Sequence, residues 1–181
     1  MVCVTHGISW GLAIDIACCA DIWMCAKDAS FAVKEVDRGM AADIGTLSRL
    51  PKVVGSQSWV KDVCLSARTF SAAEALSVGF VTQIHDTKAQ AVGAAQRLAA
   101  LIASKSPVAV QGTKELLNHA RDHSVADSKF IPSVSLGLAE GANHVGLRYT
   151  GIWNSAALQS HDLQAAIMSG LTKKTSRFEK L

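Results

Sequence analysis

Residues 2–26, VCVTHGISWGLAIDIACCADIWMCA, decide the fold. Val2–Thr5 is a short β-prone run that ends at His6-Gly7, and Gly11–Ala20 follows with the pattern of a helix. Asp21–Ala26 is a second apolar, β-prone run. A strand, a helix and another strand in this order form a β-α-β unit, so the stretch predicts an α/β fold with a parallel sheet.

Outward from this unit, the sequence predicts two more strands and a series of helices. The strand candidates are Ser30–Val36 and Phe80–His85. The first helical pattern covers 41–54, where Pro51 limits the first part and Gly55 ends the pattern. Further helical patterns cover Ser58–Ala67, Ala72–Val78, Lys88–Ser104 and a segment that begins at Ser106-Pro107. A last helix is predicted from one apolar stripe formed by Leu158, Leu163, Ala166, Ile167 and Leu171. Ser71 and Glu74 have the spacing of a capping box. The glycines and mixed polarity of 129–146 predict a loop.

The composition is that of one globular chain with little polar covering. The 181 residues are 49% hydrophobic and 18% charged, whereas ordinary domains are about one quarter charged. A chain of this length can bury roughly 70% of the surface that its unfolded form exposes. We therefore expect a genuine core, and we expect some apolar surface to contact another chain.

Charge and cysteine content exclude several classes of protein. The net charge is only +3 and no basic run exceeds Lys173-Lys174, which argues against nucleic-acid binding. The most apolar window, residues 8–26, contains Asp15 and Asp21, and each would cost about 2.5–3.5 kcal/mol at a bilayer centre, so no membrane span is predicted. No basic region of a signal peptide opens the sequence. The five cysteines lack paired spacings, which predicts reduced, buried thiols in an intracellular protein.

Three acids stand among apolar residues: Asp15 in AIDIA, Glu35 in AVKEV and Asp43 in MAADI. Burial disfavours the charged form of a carboxylate, so acids in such settings are either paired or suited to proton transfer near neutral pH. Taken singly, such an acid is more often a helix cap or a salt-bridge partner, and Asp21 and Asp37 are interpreted in that way.

The segment 34–55, KEVDRGMAADIGTLSRLPKVVG, resembles the central part of the dienoyl-CoA isomerases of the enoyl-CoA hydratase/isomerase (crotonase) superfamily. Residues 104–112, SKSPVAVQG, and 121–125, RDHSV, are similar to later segments of the same proteins. The resemblance runs from about residue 1 to 128 and resumes near Leu147. It implies a crotonase-like spiral of β-α units that is N-terminally truncated and followed by a C-terminal helical region.

The resemblance also implies a reaction and the residues that perform it. Three acids would meet in a buried pocket over a fatty acyl-CoA thioester, and the CoA is part of the substrate, so no separate cofactor or metal is expected. Glu35 would remove a proton at C2 of a 3,5-dienoyl-CoA, Asp43 would deliver one at C6, and Asp15 would tune the pair. The product is the 2,4-dienoyl-CoA of fatty acid β-oxidation. One ionised and one protonated carboxylate suffice for such a shift.

One motif departs from the family pattern, which reads His-Gly, three residues, then three glycines. Here only Gly11 of the three remains, and Leu12 takes the place of the glycine whose backbone N–H would serve the oxyanion hole for the thioester. A side chain at this position can crowd the thioester or can require a backbone conformation that only glycine adopts easily. Both consequences are open at the level of sequence.

Two alternative functions therefore stay open. Enoyl-CoA hydratases carry acids at the positions of Asp15 and Glu35 but have no acid matching Asp43, so Asp43 favours isomerisation over hydration. A non-catalytic crotonase-fold subunit is the other alternative, because Leu12 alters the oxyanion position and the family carries further β-α units before the first strand of this chain.

The resemblance also implies how the chain divides into regions, which oligomer it forms and in which organelle it is located. Residues 1–86 would form the C-terminal part of the α/β core, and 87–181 a helical oligomerisation region with a loop insertion at about 129–146. The family implies a homotrimer or hexamer located in mitochondria or a peroxisome-like organelle. The terminal Glu179-Lys180-Leu181 is similar to a peroxisomal Ser-Lys-Leu signal except in its first residue.

Overall fold

The computed structural model describes residues 1–123, 145–172 and 178. The chain forms two compact units, Met1–Ala99 and Ala100–Leu181. The predicted division between residues 86 and 87 falls just before a helix that spans Lys88–Ala103, whereas the two units separate inside that helix. Most of the predicted loop at 129–146 lies outside the described residues, and its last two positions belong to a helix that begins at Val145.

The first unit alternates strands and helices, as the β-α-β pattern predicts. Its elements are β1 (Val2–Thr5), β2 (Ile8–Trp10), α1 (Leu12–Cys18), β3 (Ile22–Ala26), β4 (Ser30–Ala32), a 3-10 helix (Glu35–Arg38), α2 (Thr46–Val53), α3 (Gln57–Ser66), β5 (Phe70–Ser71), α4 (Ala72–Ser77), β6 (Gln83–His85) and α5 (Lys88–Ala103). One sheet has the order β1-β3-β6 with parallel pairs throughout. The other has the order β2-β4-β5, in which β2 and β4 are parallel and β4 and β5 antiparallel. The predicted parallel pairing is confirmed.

Four aromatic rings organise the core beneath the second sheet. Phe31 of β4 stacks on Phe70 of β5 with ring centroids 5.3 Å apart, and meets Phe80 edge-on at 5.5 Å. Trp59 of α3 approaches Phe70 edge-on at 5.0 Å. Such offset and edge-on contacts are the favourable geometries for aromatic pairs, so they fix α3 against this sheet.

The strand predicted at 30–36 is wrong in its second half. β4 ends at Ala32, and Glu35–Arg38 turns into the 3-10 helix, which ends at Gly39 with a left-handed φ of 75°. The apolar run continues to Val33, which is buried, but Lys34 is held by contacts outside the sheet. The sequence also missed β2 and β5, which are only three and two residues long.

Helix caps follow the sequence closely, with one exception. Ser56, Ser71 and Ser106 each accept a hydrogen bond from the backbone N–H three residues later, which satisfies a donor at the start of α3, α4 and the helix that follows α5. The reciprocal half of the capping box at Ser71 is absent among the contacts of the described residues. The Glu74 carboxylate instead accepts hydrogen bonds from Trp59 Nε1 at 2.8 Å and from Arg68 Nη2 at 2.6 Å.

The second unit is helical in its described part, with α6 (Pro107–Asp122), α7 (Val145–Ala157) and α8 (His161–Thr172). α6 and α7 approach closely at Gly112, where a Cβ would collide with the indole of Trp153. The last helix was predicted to include Leu158, but this residue lies in the turn between α7 and α8. Within the described ranges, none of the helices combines the length and the hydrophobicity needed to cross a bilayer.

The cysteines are all free thiols, and their burial is mixed. Cys18, Cys25 and Cys64 are buried as predicted, Cys3 is half-buried, and Cys19 is exposed, so the expectation of uniformly buried thiols is wrong. Burial raises the pKa of Cys25 to about 11, and the nearby charge of Asp28 adds to this shift.

Candidate active site

The start of α1 is built on one glycine with a left-handed backbone. Gly11 has φ 56° and donates its N–H to the Ala32 carbonyl at 2.8 Å, which ties the turn to β4. Leu12 is the first residue of α1, and Ala67 is the only non-glycine residue with positive φ among the described residues. The concern that position 12 requires a glycine conformation is therefore wrong. Leu12 is 52% exposed, and as the first residue of α1 it has a backbone N–H without an acceptor within the helix.

Asp15 is the one fully buried acid of the three that the sequence singled out. It lies one turn into α1 and is 2% exposed. Its Oδ1 accepts a hydrogen bond from the backbone N–H of Thr46 at 2.7 Å. Thr46 is the first residue of α2 and is itself fully buried. Asp15 therefore satisfies an amide at the start of α2 and joins α1 to the turn that carries Asp43.

Glu35 opens the 3-10 helix and faces the turn before α1. Its Oε1 lies 3.2 Å from the point where a Cβ on Gly11 would stand, so the absence of a side chain at Gly11 makes room for this carboxylate. Its Oε2 is buried and has no hydrogen-bond partner among the described residues. Burial raises the pKa of the Cys64 thiol and the charge of Glu35 raises it further, which places Cys64 near the carboxylate.

Asp43 is exposed on the turn 43–45 that precedes α2. Gly45, with φ 139°, leaves the space that the Arg49 guanidinium occupies, and Arg49 Nη1 donates to the Ile44 carbonyl at 3.2 Å. Arg49, in the first turn of α2, thus stabilises the turn 43–45 through its hydrogen bond to Ile44. The expected buried pocket of three acids differs from this arrangement, because only Asp15 is buried within the described part of the chain and Asp43 stands on a surface turn.

Lys34 makes contacts near Glu35 that the sequence did not predict. Its Nζ donates to the Ala67 carbonyl at 2.6 Å and to Asp37 Oδ2 at 3.0 Å, and it lies 5.5 Å from the centroid of the Trp10 ring. These contacts fix the residue immediately before Glu35 to both β2 and the end of α3. The available signal was a lysine next to Glu35 in the run AVKEV. Asp37 pairs with Lys34, in agreement with its predicted structural role.

Contacts at α1 connect two of the three acids to neighbouring segments of the chain. Glu35 lies against the turn that begins α1, and Asp15 connects the same helix to the turn bearing Asp43. A carboxylate oxygen without a partner among the described residues, such as Glu35 Oε2, can accept a proton from a carbon acid, and amides at the start of a helix can stabilise the resulting oxyanion. No cluster of three or more metal-ligating side chains occurs in residues 1–123 and 145–172.

Solved structures define the class of fold. An enoyl-CoA hydratase from Mycobacterium tuberculosis superimposes with a TM-score of 0.83 at 22% identity, covering 98% of this chain and 63% of that protein. An enoyl-CoA hydratase/isomerase from Cupriavidus metallidurans gives a TM-score of 0.80 at 23% identity, covering 99% of this chain and 62% of that one. The fold is the predicted crotonase fold.

The sequence then gives the family. The family described as enoyl-CoA hydratase/isomerase matches residues 1–130, and the chain belongs to this family. It is 42% identical over 184 residues to a mitochondrial Delta(3,5)-Delta(2,4)-dienoyl-CoA isomerase of Homo sapiens, covering 100% of this chain and 51% of the relative. It is 36% identical over 181 residues to a peroxisomal enzyme of the same name from Arabidopsis thaliana, covering 58% of that relative. The chain thus spans about half the length of the curated relatives.

Proposed function

We propose that this chain acts on fatty acyl-CoA thioesters as a dienoyl-CoA isomerase, moving the double bonds of a 3,5-dienoyl-CoA to the 2,4 positions. The names of its relatives and 42% identity over the whole chain support this reaction. The observation in the structure that carries it is Glu35, whose buried Oε2 has no partner among the described residues and whose Oε1 lies against Gly11. A proton-abstracting base needs a free oxygen of this kind.

In the proposed mechanism, Glu35 removes a proton from C2. The electron pair of the broken C–H bond enters the conjugated system and gives an extended enolate, a trienolate, whose oxygen accepts a hydrogen bond from the backbone N–H of Leu12. Asp43 then donates a proton to C6, and the double bonds come to rest at the 2,4 positions. The substrate loses and gains one proton, so the reaction needs no redox cofactor, and a metal is not required for the charge balance.

Asp15 has a positioning role in this scheme. Its hydrogen bond to Thr46 fixes the start of α2 and with it the turn 43–45, so it acts on Asp43 through the backbone. The exposure of Asp43 is compatible with its role only when acyl-CoA or another part of the polypeptide covers the turn. We therefore expect the proton donor to be shielded from water in the complex with substrate.

The assay for this proposal follows the absorbance change from 3,5-dienoyl-CoA to 2,4-dienoyl-CoA. We expect Glu35→Gln and Asp43→Asn each to reduce kcat by about 10²–10⁴-fold, the range for losing a general acid or base. Asp37→Asn is the matched control, because Asp37 is on the same 3-10 helix and is paired with Lys34 on the surface. Unchanged turnover in Glu35→Gln would refute the assignment of the base.

One further substrate and a binding measurement separate the alternatives. Water addition to a 2-enoyl-CoA, with no isomerisation of the diene, would favour the hydratase function. A folded chain that neither turns over nor binds a CoA thioester in calorimetry would favour a non-catalytic subunit.

We also propose an assembly and a location. A homotrimer or hexamer, formed through the helical region, agrees with the low charge content of the chain. Relatives named mitochondrial and peroxisomal support one of these organelles. Ultracentrifugation gives the assembly, and a monomer at micromolar concentration would contradict it.

A further inference from the structure

The ammonium group of Lys34 contacts three separate segments of the first unit. Its Nζ donates to the Ala67 carbonyl at 2.6 Å and to Asp37 Oδ2 at 3.0 Å, and it lies 5.5 Å from the centroid of the Trp10 ring. A cation within about 6 Å of an indole centroid is attracted to the face of the ring. Lys34 therefore links β2 to the end of α3 and to the 3-10 helix that begins at Glu35.

The contact between Lys34 and Trp10 lies directly beside the approach of Glu35 to the start of α1. Trp10 precedes Gly11 in the sequence, and Lys34 precedes Glu35. The two contacts therefore join the same two segments at adjacent positions. The Gly11 N–H also donates to the Ala32 carbonyl at 2.8 Å, which joins the segments up to the end of β4. Beyond Ala32, the contact with Trp10 extends this link to the residue before Glu35.

The 3-10 helix depends on such contacts because its own hydrogen bonds hold it weakly. It has only four residues, Glu35–Arg38, and no side-chain hydrogen bond caps its start. The hydrogen-bond geometry of a 3-10 helix is poorer than that of an α-helix. Lys34 supplies support from outside, since it bonds Asp37 within the helix and the Ala67 carbonyl at the end of α3. The partial negative charge at a helix C-terminus favours a cation there.

We propose that Lys34, through its contact with the Trp10 ring, is a positioning residue that holds the Glu35 carboxylate at the start of α1 for proton removal from C2. The inference rests on the proposed function, in which Glu35 is the base. A base must lie within hydrogen-bond reach of the proton that it removes, and a displacement of about 1 Å can reduce a rate about 10²-fold. Lys34 does not touch the substrate in this scheme, and it acts through Glu35.

Isomerisation of a 3,5-dienoyl-CoA by the full chain tests this role. Lys34→Met keeps a side chain of similar length and removes the ammonium group. We expect kcat to fall at least about 10-fold and KM to change less than about 3-fold, because the base is displaced while the groups that bind the thioester stay in place. Lys61→Met is the matched control, since Lys61 is an exposed lysine on α3, and its kcat should stay within about 2-fold of the unaltered value. The value of kcat is expressed per binding site, counted by calorimetry with a saturated acyl-CoA, so a loss of folded protein does not enter the comparison.

The Glu35→Gln background shows whether Lys34 acts through Glu35. The residual turnover of Glu35→Gln does not use the carboxylate, so the addition of Lys34→Met should change it less than about 2-fold. A general structural role of Lys34 would instead lower the turnover of both backgrounds by the same factor.

Trp10 gives a second comparison, which also serves if Lys34→Met does not fold. Trp10→Phe keeps an aromatic face for the ammonium group, and its kcat should stay within about 3-fold of the unaltered value. Trp10→Leu removes that face, and its kcat should fall at least about 10-fold. Both variants lose the weak hydrogen bond from Trp10 Nε1 to Ser30 Oγ, so the aromatic face is what distinguishes them.

Three results would overturn the inference: unchanged kcat in Lys34→Met, an equal loss in the Glu35→Gln background, and equal effects of Trp10→Phe and Trp10→Leu. Each of them, obtained with an unaltered chain that isomerises the diene, leaves the proposed function standing. An unaltered chain without isomerase activity contradicts the proposed function itself, and the inference then fails with it.

Discussion

Replacement of Asp15 separates the effect of its hydrogen bond from the effect of its charge. In Asp15→Ala, the Thr46 N–H loses its acceptor while it stays fully buried. An unsatisfied buried donor costs about 1–3 kcal/mol, and the lost carboxyl group also leaves a small void in a core position. We therefore expect the free energy of unfolding to fall by about 2–4 kcal/mol. In Asp15→Asn, the amide oxygen can still accept from Thr46, so the expected loss is below about 1 kcal/mol.

Urea unfolding, followed by circular dichroism, measures both variants against the unaltered chain. The comparison uses the midpoint at a constant m-value, because a change of m would indicate a change in the compactness of one state. Asp37→Ala is the surface control, with an expected effect of no more than about 1 kcal/mol, as for an exposed ion pair. Equal losses in Asp15→Ala and Asp15→Asn would refute the view that the Asp15–Thr46 bond is what stabilises the junction of α1 and α2.

Two other predictions concern a helix contact and an ion pair. Gly112→Ala should destabilise the chain by about 1–3 kcal/mol in thermal unfolding, because the added Cβ overpacks against Trp153. Gly93→Ala is the control: its Cβ would meet the nearest atom at an ordinary distance of 3.4 Å, so the better helix propensity of alanine should stabilise the chain by up to about 1 kcal/mol. Equal stabilisation by both variants would contradict the close contact between Gly112 and Trp153. The Arg68 hydrogen bond holds the pKa of Glu74 below its ordinary value, so the pair stabilises the fold above about pH 4.3 and this contribution is lost as the pH falls through the lower folded-state pKa. In Glu74→Gln, the free energy of unfolding should therefore fall less steeply as the pH is lowered into the acid range than it does in the unaltered chain. An equally steep fall in both proteins would refute this.

The sequence was sufficient for the elements that depend on local pattern. The Ser71 cap, the strand-helix-strand order and the long helix α5 follow from side chains within a few residues of each other, and the structure contains them. Elements that depend on distant partners were missed. β2 and β5 are too short to show an alternating pattern, and Lys34 lies outside the predicted strand, where its Nζ donates a hydrogen bond to the carbonyl of Ala67, far along the chain.

In the candidate site too, features that depend on nearby residues were predicted and features that depend on distant residues were not. The three acids were found from their apolar surroundings and from the resemblance, but their burial was not. Asp15 is buried and accepts a hydrogen bond from the Thr46 N–H, distant in sequence, while Asp43 is exposed on the turn 43–45. The space that Gly11 leaves for Glu35 could not be anticipated either, because it depends on the meeting of two segments that are distant in sequence.

The turn at Gly11 also has a consequence for the unfolded chain. Of the three positions that carry glycines in the family pattern, the left-handed backbone is needed only at the first, and Leu12 and Ala13 are helical. Replacing glycine by leucine or alanine in a helix favours the helix by up to about 1 kcal/mol per residue, since fewer backbone conformations remain available before folding. The substitutions therefore reduce the entropy that α1 loses when it forms. They pre-order a seven-residue helix that would be marginal by its length alone.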